Sequence, residues 1–218
     1  MASQINTIST SRTASWIGGI ALLLIAVLAG VGYMGLIKPL VVSGDATATA
    51  QLIGAGETQF RVGVLFMLIA AVLDVVVAAA LFVVFEPINR VAAQTAAWFR
   101  IAYSAVFLVA IAHLVSVPSL LGDPASALRA VESYTVIWQV GLSLFAVHLI
   151  LVGYLGFRSG LLPKVLGILL VIAGLGYFAD SVGTVLAPGF VATYASYTFV
   201  GEVALIGWLI VKAIRSPR

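Results

Sequence analysis

The chain has no cysteine, two histidines and very few charges for its length of 218 residues. The first lack excludes disulfides, thiolate catalysis and cysteine-based metal sites. The shortage of charge is more telling. Charged residues are 9% of the chain and residues of the apolar set 62%, whereas a soluble domain is about half apolar and a quarter charged. A globule of this size leaves much of its surface exposed, so no water-soluble fold hides this much apolar side chain. The solvent must be lipid. Also missing are a glycine-rich phosphate loop, a helical zinc-protease histidine pair and a GxSxG elbow. No basic-aromatic surface points to nucleic acid, and Ser159 has no histidine or acid near it in sequence to make it a nucleophile.

What is present is a series of apolar runs. A membrane-spanning helix needs about 20 mostly apolar residues. Six runs meet that length, at about 14–37, 60–85, 98–121, 134–157, 163–186 and 197–214. They use up the chain and predict a single all-α domain, a polytopic transmembrane bundle of six helices with short loops. The first run is too long for the apolar part of a signal peptide and is read as an uncleaved helix.

Charge placement predicts the orientation. With both termini in the cytoplasm, the inner segments hold Arg12, Arg90, Arg100, Arg158, Lys164, Lys212, Arg215 and Arg218. The outer ones hold Lys38, Arg61 and Arg129. Cytoplasmic loops collect Lys and Arg, so this side assignment is preferred. FRSGLLPK (Phe157 to Lys164) then reads as a tight inner hairpin, with Gly160 as helix stop and Pro163 suited to the first turn of the next helix. Trp16, Trp98 and Tyr154 fall near the inner interface. Tyr33, Tyr134, Trp138, Tyr177, Tyr194 and Tyr197 fall towards the outer one, as amphipathic rings do at headgroup level. In the outer loops, Asp45 is an N-cap for a short helix over ATATAQLI, and Asp123-Pro124 starts a second one over ASALRAVES that lies on the membrane. Pro118 kinks the third helix.

Several of these segments together are familiar. GYLGFRSGLLPKVLGILLVIAGLGYFADS (Gly153 to Ser181), ETQFR (Glu57 to Arg61), Leu73-Asp74, Phe99-Arg100 and the Glu202…Trp208 pattern resemble an uncharacterised bacterial membrane-protein family catalogued as domain of unknown function 4386. The resemblance spans nearly the whole chain and implies a polytopic membrane protein. It brings no activity, cofactor or site residue with it.

Ionisable residues inside the runs need a reason, since each costs roughly 2.5–3.5 kcal/mol at the centre of a spanning helix on insertion scales. Asp74 lies mid-helix with Ala70, Ala71 and Ala78 on its face, and small residues mark close helix packing in lipid. It is read as a carboxyl turned into the bundle, either fixing packing through a neighbouring hydroxyl or histidine or binding a proton or cation. His113 and His148 lie at similar depth and could ligate one haem, or each hydrogen-bond to Asp74 or a carbonyl; no cofactor is predicted. Glu57, Arg61, Asp180 and Glu202 come from three separate segments near the outer rim, either as a structural ion-pair cluster or as a polar pocket. Glu86 with Arg90 or Arg100 reads as a solvated pair. Ala26 with Gly30, Gly156 with Gly160 and Ala179 with Gly183 would allow close helix contacts within the chain or between copies.

The reading is a multi-pass protein of the bacterial cytoplasmic membrane with a polar intramembrane or outer-rim site, preferred as non-enzymatic: a sensor, assembly factor or transport component. One alternative is an ion- or proton-coupled transporter using Asp74, Arg61, Asp180 and Glu202. The other is a haem protein or enzyme using His113 and His148.

Overall fold

The structure is a computed structural model that describes residues 2–160, 162–187 and 189–215. Among them the chain is all helical, with no strand. The elements are α1 (Ala2–Ala29), α2 (Ala46–Ala55), α3 (Glu57–Phe85), α4 (Arg90–Ser116), α5 (Pro124–Ser159), α6 (Lys164–Leu186), α7 (Tyr194–Thr198) and α8 (Val200–Arg215). α1 continues through a π-helical stretch (Gly30–Ile37) into a 3₁₀ turn (Lys38–Leu40). Arg218 and Leu161, used above in the side assignment and the hairpin, lie outside the described residues.

Five helical stretches are long and apolar enough to cross a membrane: Ser11–Leu40, Glu57–Phe85, Arg90–Leu120, Pro124–Ser159 and Lys164–Leu186. The sixth expected span corresponds to α8, which has 16 residues. At 1.5 Å per residue it is about 24 Å long, shorter than the roughly 30 Å hydrocarbon core. The exposed faces of the long helices are apolar. Ile20, Leu24, Val27, Val31 and Met34 in the first span, and Leu65, Val72 and Val75 in α3, are all exposed, which is the surface lipid requires.

Several boundaries differ from the sequence expectation, among them α1, which begins at Ala2 and not at 14, and the last run, which divides into α7 and α8. α4 begins at Arg90, eight residues before the predicted start at Trp98, because Asn89 caps it with its side-chain oxygen accepting from the Ala92 amide at 3.1 Å. The second outer-loop helix does not exist separately. α5 runs unbroken for 36 residues, since no Gly or Pro interrupts ASALRAVESYTVIWQV. Its Ala127, Ala130, Val131 and Tyr134 form one buried stripe, so this end packs against protein and does not lie on the membrane. At Pro118 the α-helix ends, and Val117–Leu120 tighten into a 3₁₀ turn. Other signals hold. Asp45 accepts from the Ala48 amide at 2.9 Å and starts α2. Asp123 starts α5, and the Ser126 hydroxyl and amide hold its carboxyl below the usual range. Gly160 takes a positive φ of 62° directly after α5, which favours glycine.

The chain forms two compact units. One comprises Met1–Leu23, Leu73–Tyr103 and Gln139–Arg218; the other comprises Leu24–Val72 and Ser104–Trp138. In the first unit, α5 and α6 approach closely at glycines. A Cβ on Gly153 would lie 2.6 Å from the Gly167 carbonyl oxygen, and one on Gly174 would lie 2.7 Å from the Ala146 carbonyl oxygen. α1 meets α8, where the Arg12 Nε donates to the Ala213 carbonyl at 3.1 Å. In the second unit, Gly32 and Gly63 face each other so closely that a Cβ on either would lie 2.9 Å from the other's carbonyl oxygen. Tyr33, Tyr134 and Trp138 pack together there at centroid distances of 5.7–6.1 Å, and Tyr134 is fully buried. These rings form an internal cluster, whereas Trp98, Tyr154, Tyr194 and Tyr197 are exposed as interface rings would be.

The α5–α6 seam gives a test. Gly153→Val should lower stability by at least about 1–3 kcal/mol, the usual cost of overpacking. Gly30→Ala, with nothing within 4 Å of its added carbon, should not. Thermal unfolding of the two purified variants in one detergent checks this. Equal melting temperatures would remove the close seam from the description.

Candidate functional site

Asp74, Arg100 and His148 meet inside the first unit, from α3, α4 and α5. All three are buried, at 4%, 2% and 0% exposure. Asp74 is eleven residues from the end of α3, Arg100 ten from the start of α4, and His148 eleven from the end of α5. At 1.5 Å per residue each lies about 15–17 Å from its hairpin end, near the middle of a roughly 30 Å hydrocarbon core.

One arginine organises the group. Its Nη2 donates to Asp74 Oδ1 in a buried ion pair. Its Nη1 lies 3.1 Å from His148 Nε2. A guanidinium only donates, so Nε2 is the acceptor and the ring proton sits on Nδ1, which donates to the Ala96 carbonyl at 2.9 Å. Both histidine nitrogens are thereby engaged and the ring is neutral. The guanidinium also lies over the Phe145 ring at 5.2 Å, and Phe145 stacks on His148 at 5.7 Å. Asp74's small-residue face is as expected: Ala70, Ala71 and Ala78 are fully buried. Its partner is not the hydroxyl or histidine that spacing suggested but Arg100.

Phe145 connects this group to two more. Tyr103 lies 5.0 Å from it, and Tyr177 meets it edge-on at 5.5 Å. The Tyr177 hydroxyl hydrogen-bonds the Glu202 carboxylate, and Glu202 is within electrostatic reach of both Arg100 and Asp74. Two atoms here are buried with no hydrogen-bond partner: Arg100 Nε, a donor, and Glu202 Oε1, an acceptor. Buried polar atoms nearly always have partners.

The residues expected at the outer rim separate. Arg61 pairs with Glu57 one turn away at 2.7 Å, and both are largely exposed. Asp180 is 1% exposed. Its Oδ1 accepts from the Thr193 and Tyr194 amides at 2.9 and 3.1 Å, and its Oδ2 from the Ala195 amide at 2.7 Å. It folds the connection before α7 back onto α6. Glu202 joins the Arg100 group instead. His113 is half-buried in the second unit, and the Ser116 hydroxyl donates to its carbonyl. Glu86 pairs with Arg90 at 3.4 Å, as expected, while Arg100 takes no part there. Arg100 itself was read as an inner-loop cation. The Asn89 cap was the signal that would have moved it into the membrane, because it places Arg100 almost three turns inside α4.

The fold and this site define a class: a helical, multi-pass membrane protein with an acid–arginine–histidine group buried among its helices. The chain matches the family Domain of unknown function (DUF4386) over residues 17–213 and belongs to it. It is also 30% identical, over 161 residues, to an uncharacterized protein of the archaeon Archaeoglobus fulgidus; the match covers 74% of this chain and 88% of that one. No solved structure matches.

The pair makes a specific expectation. Asp74→Ala leaves Arg100 as an uncompensated buried cation and should destabilise the protein by about 3–5 kcal/mol. The double variant Asp74→Leu/Arg100→Met removes both charges and should recover most of that loss. Thermal melts of the single and double variants measure it. A single variant as stable as wild type would show that the pair carries no structural weight.

Proposed function

We propose that this is a non-enzymatic protein of the cytoplasmic membrane, with both termini inside, that holds a small ion or polar ligand at the Asp74–Arg100–His148 site as part of sensing or transport. One observation carries the reading. A donor and an acceptor of one buried cluster, Arg100 Nε and Glu202 Oε1, have no hydrogen-bond partner among the described residues. A group kept only for packing would be expected to satisfy both, because an unsatisfied buried polar atom costs about 1–3 kcal/mol. The orientation rests on charge. Without Arg100, the inner segments still hold Arg12, Arg90, Arg158, Lys164, Lys212, Arg215 and Arg218 against Lys38, Arg61 and Arg129, the bias expected of cytoplasmic loops.

A second reading, ion- or proton-coupled transport, is favoured by a different feature. Two carboxylates, Asp74 and Glu202, are in reach of a single cation, Arg100. A site of that kind changes its pairing when an ion enters or leaves.

Binding is tested by stability. A ligand at 100 times its Kd stabilises the native state by about 2.7 kcal/mol. The melting temperature of the wild type in lipid nanodiscs should respond to pH or to one of Na⁺, K⁺ and Li⁺, and the response should be lost in Glu202→Gln. A wild type indifferent to all of them would count against an ion site. Dye-reported proton or Na⁺ flux in proteoliposomes, present in wild type and absent in Asp74→Asn, selects the transport reading.

Orientation has a clean assay because the chain contains no cysteine. In intact cells Thr47→Cys should react with a membrane-impermeant maleimide, and Lys164→Cys only after lysis. The reverse pattern would invert the topology.

A further inference from the structure

The cluster holds more negative charge than its one arginine balances, and that imbalance identifies the ion. We propose that the ion is the proton, and that Glu202 rather than Asp74 takes it up. The inference rests on the ion-site reading above.

Groups from four elements surround the Tyr177–Glu202 and Arg100 contacts. α3 supplies Asp74, and α4 supplies Arg100 and Tyr103. α5 supplies His148, and α6 supplies Tyr177 and Asp180. Of these, Asp74, Arg100 and Tyr177 act on Glu202 itself, while Tyr103 and Asp180 act on Tyr177 and His148 on Arg100. α1, which also packs on α8, places Arg12 on the Ala213 carbonyl, eleven residues further along α8, roughly 16 Å away at 1.5 Å per residue. Lys212, at that same end, lies over Trp208 at 5.1 Å. Among the described residues Arg100 is therefore the only cation in the cluster, and its Nη2 is committed to Asp74. His148 adds no positive charge, since its Nε2 accepts from Arg100. Asp180 takes its hydrogen bonds from three backbone amides and needs no cation.

Glu202 is left with one hydrogen bond from a neutral phenol, and its Oε1 is shielded from solvent with none. A carboxylate in that position shares its one cation with Asp74 and has no donor on Oε1. Charged residues within membranes are nearly always paired. A proton on Oε1 removes the charge in place and requires no wider cavity. Asp74, already neutralised by Arg100, has no comparable need. Glu202 also stands on α8, a helix of only 16 residues, next to the connection that Asp180 fixes. Uptake or loss of its proton would alter how α8 is held against Tyr177 and α6.

Infrared spectroscopy of the protein in lipid tests this directly. The wild type should show the carbonyl stretch of a protonated carboxyl at neutral pH. The stretch should fade as pH rises, and one protonated carboxyl per chain should be missing in Glu202→Gln. Glu202→Asp keeps a carboxyl and should retain the band at a shifted frequency, which guards against misfolding of the glutamine variant. A band that persists unchanged in Glu202→Gln would place the proton on another acid and overturn the assignment. No such band, with carboxylate stretches that move when Na⁺ replaces K⁺, would overturn the proton while leaving an ion site in place. No band and no cation response would sink both readings.

Discussion

A guanidinium in the middle of a membrane is the constraint around which the first unit is arranged. Arg100 cannot give up its charge, and hydrocarbon offers nothing to solvate it. Everything it needs must come from neighbouring helices. α3 provides a carboxylate, α5 an imidazole nitrogen and an aromatic face. Those three contacts fix the relative register of three helices, because each partner is at the one depth where the arginine can reach it. Packing alone would tolerate a slip of one turn far better, since one apolar residue replaces another at modest cost.

The charges of the chain fall into different physical classes. Glu57–Arg61 is an exposed pair on the surface of α3 and Glu86–Arg90 a partly exposed pair across the turn from α3 to α4, worth a few tenths of a kcal/mol each. Asp180 is a buried anion solvated by backbone amides, so it organises a connection without any counter-ion. Asp74 is a buried anion neutralised by a buried cation. Glu202 has neither arrangement in full. In that graded series Glu202 and Arg100 carry the unsatisfied atoms, and the more conspicuous Asp74 does not.

Close backbone approach does the remaining work. In lipid, apolar burial gives helices little reason to associate. The seams are accordingly made where glycine lets one helix touch another's carbonyls, as at Gly153 with Gly167 and at Gly32 with Gly63. The small-residue pair Ala26 and Gly30 looked equivalent in sequence, yet Gly30 has nothing near it. Spacing identifies where a close contact is permitted, and only the neighbouring helix decides whether one forms.

The amino-acid sequence by itself determined the solvent, the helical class, the Asp45 cap, the Gly160 stop and the mid-helix position of Asp74. Each follows from local composition or from residues a few positions apart. The partners were decided by tertiary structure. Arg100 lies 26 residues from Asp74 and 48 from His148, and Glu202 is further along still. No periodicity connects residues on different helices, so nothing in the chain read linearly says which of several acids faces the arginine. The error over Arg100 had a narrower cause. A helix start placed eight residues late makes a buried cation read as a loop cation, and the inner excess of Lys and Arg stands with or without it. Where a charge stands relative to the end of its helix decides whether it meets water or must be solvated by protein. That depth is fixed by capping and by the packing of the helices, not by hydropathy.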